Sequence, residues 1–154
     1  MGYNITVGNA VPKHSKKYFP HLYASWEVEG TALDDAPTFP GDEMTGNGNE
    51  RSPSYSVWAD FARVTGLYDF FYDERGHLHA GHPGCIGISK EDADLVTVAL
   101  ARYRAKSTLP PGFEKDWKYQ GPPNYDGHLA RLIWLEWWMR WAIENCKTPA
   151  IQNT

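Results

Sequence analysis

The chain is short of cysteine, of long apolar runs and of positive charge, and each scarcity removes a class of protein. Only two cysteines, Cys85 and Cys146, occur among the 154 residues, so a disulfide-dense scaffold is excluded and at most one bridge could form. A cysteine-poor chain whose opening segment, MGYNITVGNAVPKHSKKYF, lacks the basic-then-apolar order of a secretory leader reads as reduced and cytoplasmic. No stretch approaches the ~18–20 apolar residues of a membrane span, so no membrane partner is expected. The formal net charge of −4 argues against general nucleic-acid binding, which calls for a basic excess. Recognised catalytic motifs are missing as well. There is no nucleophile elbow, kinase set, zincin helix, Walker loop or Rossmann turn.

What is present is enough for one core. A length of 154 residues, 42 % hydrophobic and 14 % aromatic, suits a single domain over 1–154. Alternating or β-branched and aromatic residues predict short strands at Tyr3–Val7 and Leu22–Val28, with a basic solvated loop from Pro12 to Pro20 between them. Proline, glycine, Asn and Asp predict irregular chain from Leu33 to Pro53. There the pairs Asp34-Asp35 and Asp42-Glu43 read as solvated acids. A helix follows, with Ser52 as cap, Pro53 in its first turn and Gly66 closing it. Leu67–Tyr72 fits a strand or a helical turn, and Asp73–Gly76 a tight turn. Ser89 and Asp92 predict a capping-box start for a helix ending near Lys106, and 110–123 is irregular again. Asp126 predicts the cap of a last helix ending near Asn145, with Pro149 preventing long continuation. The fold class is α+β: short N-terminal strands and long loops, then three helices, with the Trp-rich C-terminal helix central.

Three features carry candidate chemistry. The Gly- and Asn-rich stretch from Met44 runs into a helix start through Arg51, Ser52 and Ser54. Backbone N–H groups, a helix N-terminus and a guanidinium together suit phosphate, and Trp58 could stack on a base. The last helix is apolar nearly all round. Its charges Glu136, Arg140 and Glu144 fall on one stripe and can pair at i,i+4, while its tryptophans suit a core, a subunit interface or a stacking platform with Arg140 or Arg131 as clamp. The run from His77 through His79 and His82 to Cys85 holds imidazoles and a thiol of the kind zinc prefers, although the spacing matches no finger, and the deaminase pattern lacks its second cysteine.

GYNITVGN at positions 2–9, the SPSY helix start at 52–55, HPGC at 82–85, the tail from Arg131 to Asn145 and TPAIQN at 148–153 together resemble small uncharacterised proteins of tailed bacteriophages. That resemblance carries no site residues; it implies a host-cell cytoplasmic setting and a role in anti-defence, nucleotide sequestration or virion assembly. The combined expectation is a non-catalytic, homo-oligomeric protein without a required cofactor, holding a small anionic ligand such as a signalling nucleotide at Arg51, Ser52, Ser54, Trp58 and Arg140. The alternatives are a protein-interaction or virion-associated module built on the Trp-rich helix, and a metal-dependent hydrolase using zinc at His77, His79, His82 and Cys85.

Overall fold

The computed structural model describes residues 1–13, 25–38, 46–106 and 126–154. The expectations for the basic run at 14–20, for Asp42-Glu43 and for the irregular span 110–123 lie outside these residues. In chain order the elements are β1 (Ile5–Lys13), β2 (Ser25–Val28), β3 (Glu50–Arg51), α1 (Tyr55–Val64), α2 (Tyr68–Phe71), β4 (Gly84–Gly87), α3 (Lys90–Lys106), α4 (Gly127–Asn145) and β5 (Pro149–Asn153). The class is α+β, with the strands forming one curled antiparallel sheet in the order β2-β1-β5-β4 and β3 also paired to β1.

β1 is longer than its sequence suggests and runs on through Pro12. Its first half pairs with β5, Ile5 opposite Asn153 and Val7 opposite Ile151, and its second half with β2, Ala10 opposite Val28. Pro12 lies beyond the reach of β5, so β1 has an open edge there, the setting in which a strand tolerates a residue without an N–H. The pairing of Ile86 with Ile151 adds β4 to the far side of β5. Side chains alternate across a strand, so Ile5, Val7, Ile86 and Ile151 share the face turned to the helices. On the other face Ala10, Val28 and Ala150 form a small cluster with Cys85.

The long loop before α1 is organised by one buried side chain. Asn49 accepts from the Thr31 N–H and donates to the carbonyls of Val7 and Glu29, at 2.8, 2.9 and 2.9 Å. Its amide nitrogen sits where a side chain on Gly8 would begin, 3.0 Å from an added Cβ. This pins β3 against β1.

The helix that follows starts two residues later than expected. Ser54, not Ser52, is the cap of α1, its Oγ accepting from the Val57 N–H. Residues 52–54 are instead held along the N-terminal segment: Tyr3 N–H donates to the Pro53 carbonyl, and the Ser52 hydroxyl donates to Asn4 Oδ1 at 2.7 Å. Gly66 turns the chain after α1 with φ +77°. Ser89 and Asp92 form the reciprocal box at the start of α3, each side chain accepting from the other's N–H. Asp126 caps α4 through the Leu129 N–H.

α4 is buried on most of its circumference. Leu129, Ala130, Leu132, Trp134, Leu135, Trp138, Met139 and Ala142 are all at most 2 % exposed, and the helix packs against α3, β1, β5 and α1. Its tie to the loop is polar: Trp134 Nε1 donates to the Gly48 carbonyl at 3.1 Å. Among the described residues no helix is long and apolar enough to cross a membrane. Truncating Leu135, 0 % exposed on α4, is expected to cost about 2–5 kcal/mol, whereas Leu95→Ala on α3, where the side chain is 46 % exposed, should change stability by less than about 0.5 kcal/mol; urea unfolding of the two variants checks the difference.

Candidate functional site

A cleft opens at the β4 edge, where α2 and the start of α3 leave part of the sheet face uncovered. The apolar floor comes from Ile5, Ile86, Ile88 and Ile151, and Phe70 and Phe71 of α2 form a wall; together they bound a cleft of about 250 Å³. Leu78, His79 and Ala80 close one side, and Asp69, Asp92 and Asn153 bring polar atoms to it. Ile86 remains 45 % exposed although it is a large aliphatic on the helix-facing side of the sheet. Its exposure is what makes the cleft accessible.

The walls are fixed by short-range bonds. Asp73 Oδ1 accepts from the N–H groups of His77 and Arg75, at 2.9 and 2.8 Å, and these bonds hold its carboxyl below the usual carboxylate range. Gly76, with φ +78°, completes that turn, and His79 N–H then donates to the Phe71 carbonyl. The His79 ring reaches the Asp69 carbonyl through Nε2 at 2.9 Å. A carbonyl only accepts, so Nε2 carries a proton.

Behind the cleft, Asn153 orients a second histidine. Asn153 is 2 % exposed; its Nδ2 donates to the Gly81 carbonyl, so its Oδ1 faces His82 Nδ1, which must be the protonated nitrogen. His82 Nε2 shares a hydrogen bond with the Tyr55 hydroxyl at 3.2 Å. Tyr3 and Tyr55 both meet the imidazole edge-on. Gly84 has no room for a side chain, since a Cβ would collide with the Ala80 carbonyl. The chain of bonds ties the 77–84 loop to β5 and α1.

The four residues expected to hold a metal are not gathered. His79 turns to Asp69, His82 is engaged at both nitrogens by Asn153 and Tyr55, and His77 is exposed on the turn. Cys85 points to the opposite face of the sheet, among Ala10, Val28 and Ala150. Burial there pushes its thiol up, against the thiolate a metal requires. Among the described residues no group of three or more His, Cys, Asp or Glu is placed to hold an ion. Closeness in sequence did not survive strand alternation and a turn.

The five residues expected to hold an anion are likewise spread out. Arg51 is 0 % exposed, its guanidinium 5.7 Å over the Trp134 ring. Trp58 is 0 % exposed between Phe61 and Phe71, with no face open for stacking. Ser54 is occupied as helix cap and Ser52 by Asn4. Arg140 lies on α4, donating to Asp94 and Thr97 of α3 at 2.8 and 2.6 Å. Asp69, an acid close in sequence to the His77–Cys85 run, and Asp92 both line the cleft but were not among the predicted site residues. Asp92 was legible only as a helix cap.

Two consequences can be measured. Arg51→Glu would place a carboxylate in the core beside Trp134 and is expected to cost at least about 3–5 kcal/mol, so urea unfolding should show a collapse of stability. The Asp94 carboxyl is held below the usual range by its bond to Arg140, then by Lys90. A depressed carboxyl stabilises the fold above its unfolded value, about pH 3.9, and that contribution fades as pH falls through the lower folded value. Asp94→Asn should therefore lower the unfolding midpoint at pH about 6 and converge on the parent protein in stronger acid. No family model, curated protein or solved structure matches the chain.

Proposed function

We propose that the chain is a non-catalytic binding protein for a small amphipathic molecule, with the cleft at the β4 edge as its site. The observation that carries this reading is an apolar floor left open at Ile86 with two acidic residues, Asp69 and Asp92, in its lining. Apolar pockets with a few convergent polar groups are the usual form of small-ligand sites. A cavity of about 150 Å³ takes a benzene ring, so about 250 Å³ suits a bicyclic aromatic body. Two carboxylates and an imidazole favour a cationic or hydrogen-bond-donating head over a phosphate. The ligand proposed here thus carries the opposite charge to the one expected from the sequence. If the setting is a bacteriophage-infected cell, sequestering such a molecule would be its service there.

An anionic ligand has a different place to go. Arg63, Arg102 and Lys106 surround a depression of about 280 Å³ that, among the described residues, no carboxylate lines, and a nucleotide held there is the second reading. Basic residues at the ends of α1 and α3 also complement the helix dipoles, so that patch has a structural use without any ligand.

Thermal-shift and ligand-observed NMR titrations with tryptamine, indole-3-acetate and ATP separate the readings. Tryptamine should bind, lose its effect in Ala80→Phe, which fills the cleft, and weaken by up to about fivefold with each of Asp69→Asn and Asp92→Asn. Equal binding of indole-3-acetate would remove the charge assignment, and no response to either indole would remove the cleft as a site. Binding of ATP alone, abolished by Arg102→Glu, would favour the second reading.

A further inference from the structure

The four tryptophans of α4 divide into two pairs. Trp134 and Trp138 are fully buried, whereas Trp137 and Trp141 are half-buried and border an open groove of about 550 Å³. Both outer rings meet Trp138 edge-on, with centroids 4.9 and 5.2 Å apart, so a buried residue fixes their positions. Leu33 adds an apolar side, and Asp35, Glu136 and Glu144 bring three carboxylates to the same groove. Arg140, the cation among its described lining residues, is bound at 2.8 Å to Asp94, a carboxylate it shares with Lys90, so the lining itself sets three carboxylates against one guanidinium. What remains is an anionic groove floored by indole.

We propose that this groove is a docking site for an arginine-containing basic segment of a partner protein. The warrant is charge complementarity combined with ring chemistry. A guanidinium stacks on an indole face and pairs with carboxylates at the same time, and it gives up its hydration more readily than an ammonium does. Carboxylates set at 136 and 144 on one helix, with Asp35 across from them, offer contacts at several points along an extended segment. The overall charge of −4 favours encounter with a cationic partner. This inference is independent of the cleft at β4, whose lining shares no residue with the groove.

The test is calorimetric and fluorimetric titration of the full chain with a capped tetra-arginine peptide, with tetra-lysine and tetra-glutamate peptides for comparison. Tetra-arginine should bind and change the tryptophan emission, tetra-lysine should bind more weakly, and tetra-glutamate should not bind. The triple variant Asp35→Asn, Glu136→Gln, Glu144→Gln should weaken tetra-arginine by about tenfold with an unchanged circular dichroism spectrum. Removing two exposed carboxylates elsewhere, Glu74→Gln with Glu91→Gln, should leave the affinity as it was. Equal loss in both variants would show general attraction to an acidic surface and overturn the proposal, as would undiminished binding in the triple variant or no binding of tetra-arginine to the parent protein.

Discussion

Everything in this fold answers to one constraint: α4 has almost no face that can be left in water. A helix with a single apolar stripe can lie on a surface, as α1 does with Trp58, Phe61 and Ala62 turned inward and Val64 out. α4 cannot, because Leu129, Leu132, Trp134, Leu135, Trp138 and Met139 leave it buried on several sides at once. Burying a large side chain contributes about 1.5–3 kcal/mol relative to exposure, so the alternatives to enclosing this helix are costly. Its enclosure draws in elements distant in sequence: α3 on one side, β1 and β5 on another, and α1 on a third.

The sheet is arranged by the same need. β5 follows α4 after three residues and is laid between β1 and β4, so the strand nearest in sequence to the central helix becomes an inner strand of the sheet under it. The Val7–Ile151 pair then faces the helices. The cleft arises where this cover runs out. Ile86, next across the sheet from Ile151, has the right face and the right side chain for the core, yet among the described residues it is bordered by α2, the 78–80 segment and the first turn of α3 without being covered. Two buried asparagines do for the loops what α4 does for the core. Asn49 ties the residues before α1 to β1, and Asn153 ties the 77–84 loop to β5.

The legibility of these features differs by kind, for physical reasons. Helices α3 and α4 were readable because their start signals are local: the Ser89–Asp92 box and the Asp126 cap use bonds within one turn. β4 and β5 were not. Their sequences, GCIG and PAIQN, have little β propensity, and their pairing is supplied by partners far along the chain. The cap of α1 was displaced from Ser52 to Ser54 by the bond from Tyr3 to Pro53, a contact between segments some fifty residues apart, beyond any local rule. Site residues were harder still. His77, His79, His82 and Cys85 look like a ligand set only while they are a string of letters; a turn at Gly76 and the alternation of β4 send them in different directions.

The tryptophans of α4 sort by their angle around the helix. At about 100° per residue, Trp134 and Trp138 lie about 40° apart and are both buried. Trp141 falls about 20° beyond Trp134 and Trp137 about 60° beyond it, both on the side away from Trp138, and these two stay half open at one edge of the buried face. That edge adjoins the row of Glu136, Arg140 and Glu144, whose cation is drawn away to Asp94 of α3. The ion pair that stitches α3 to α4 thereby leaves the carboxylates of the groove as its dominant charge, so one interaction sets both the packing of two helices and the character of the surface beside them.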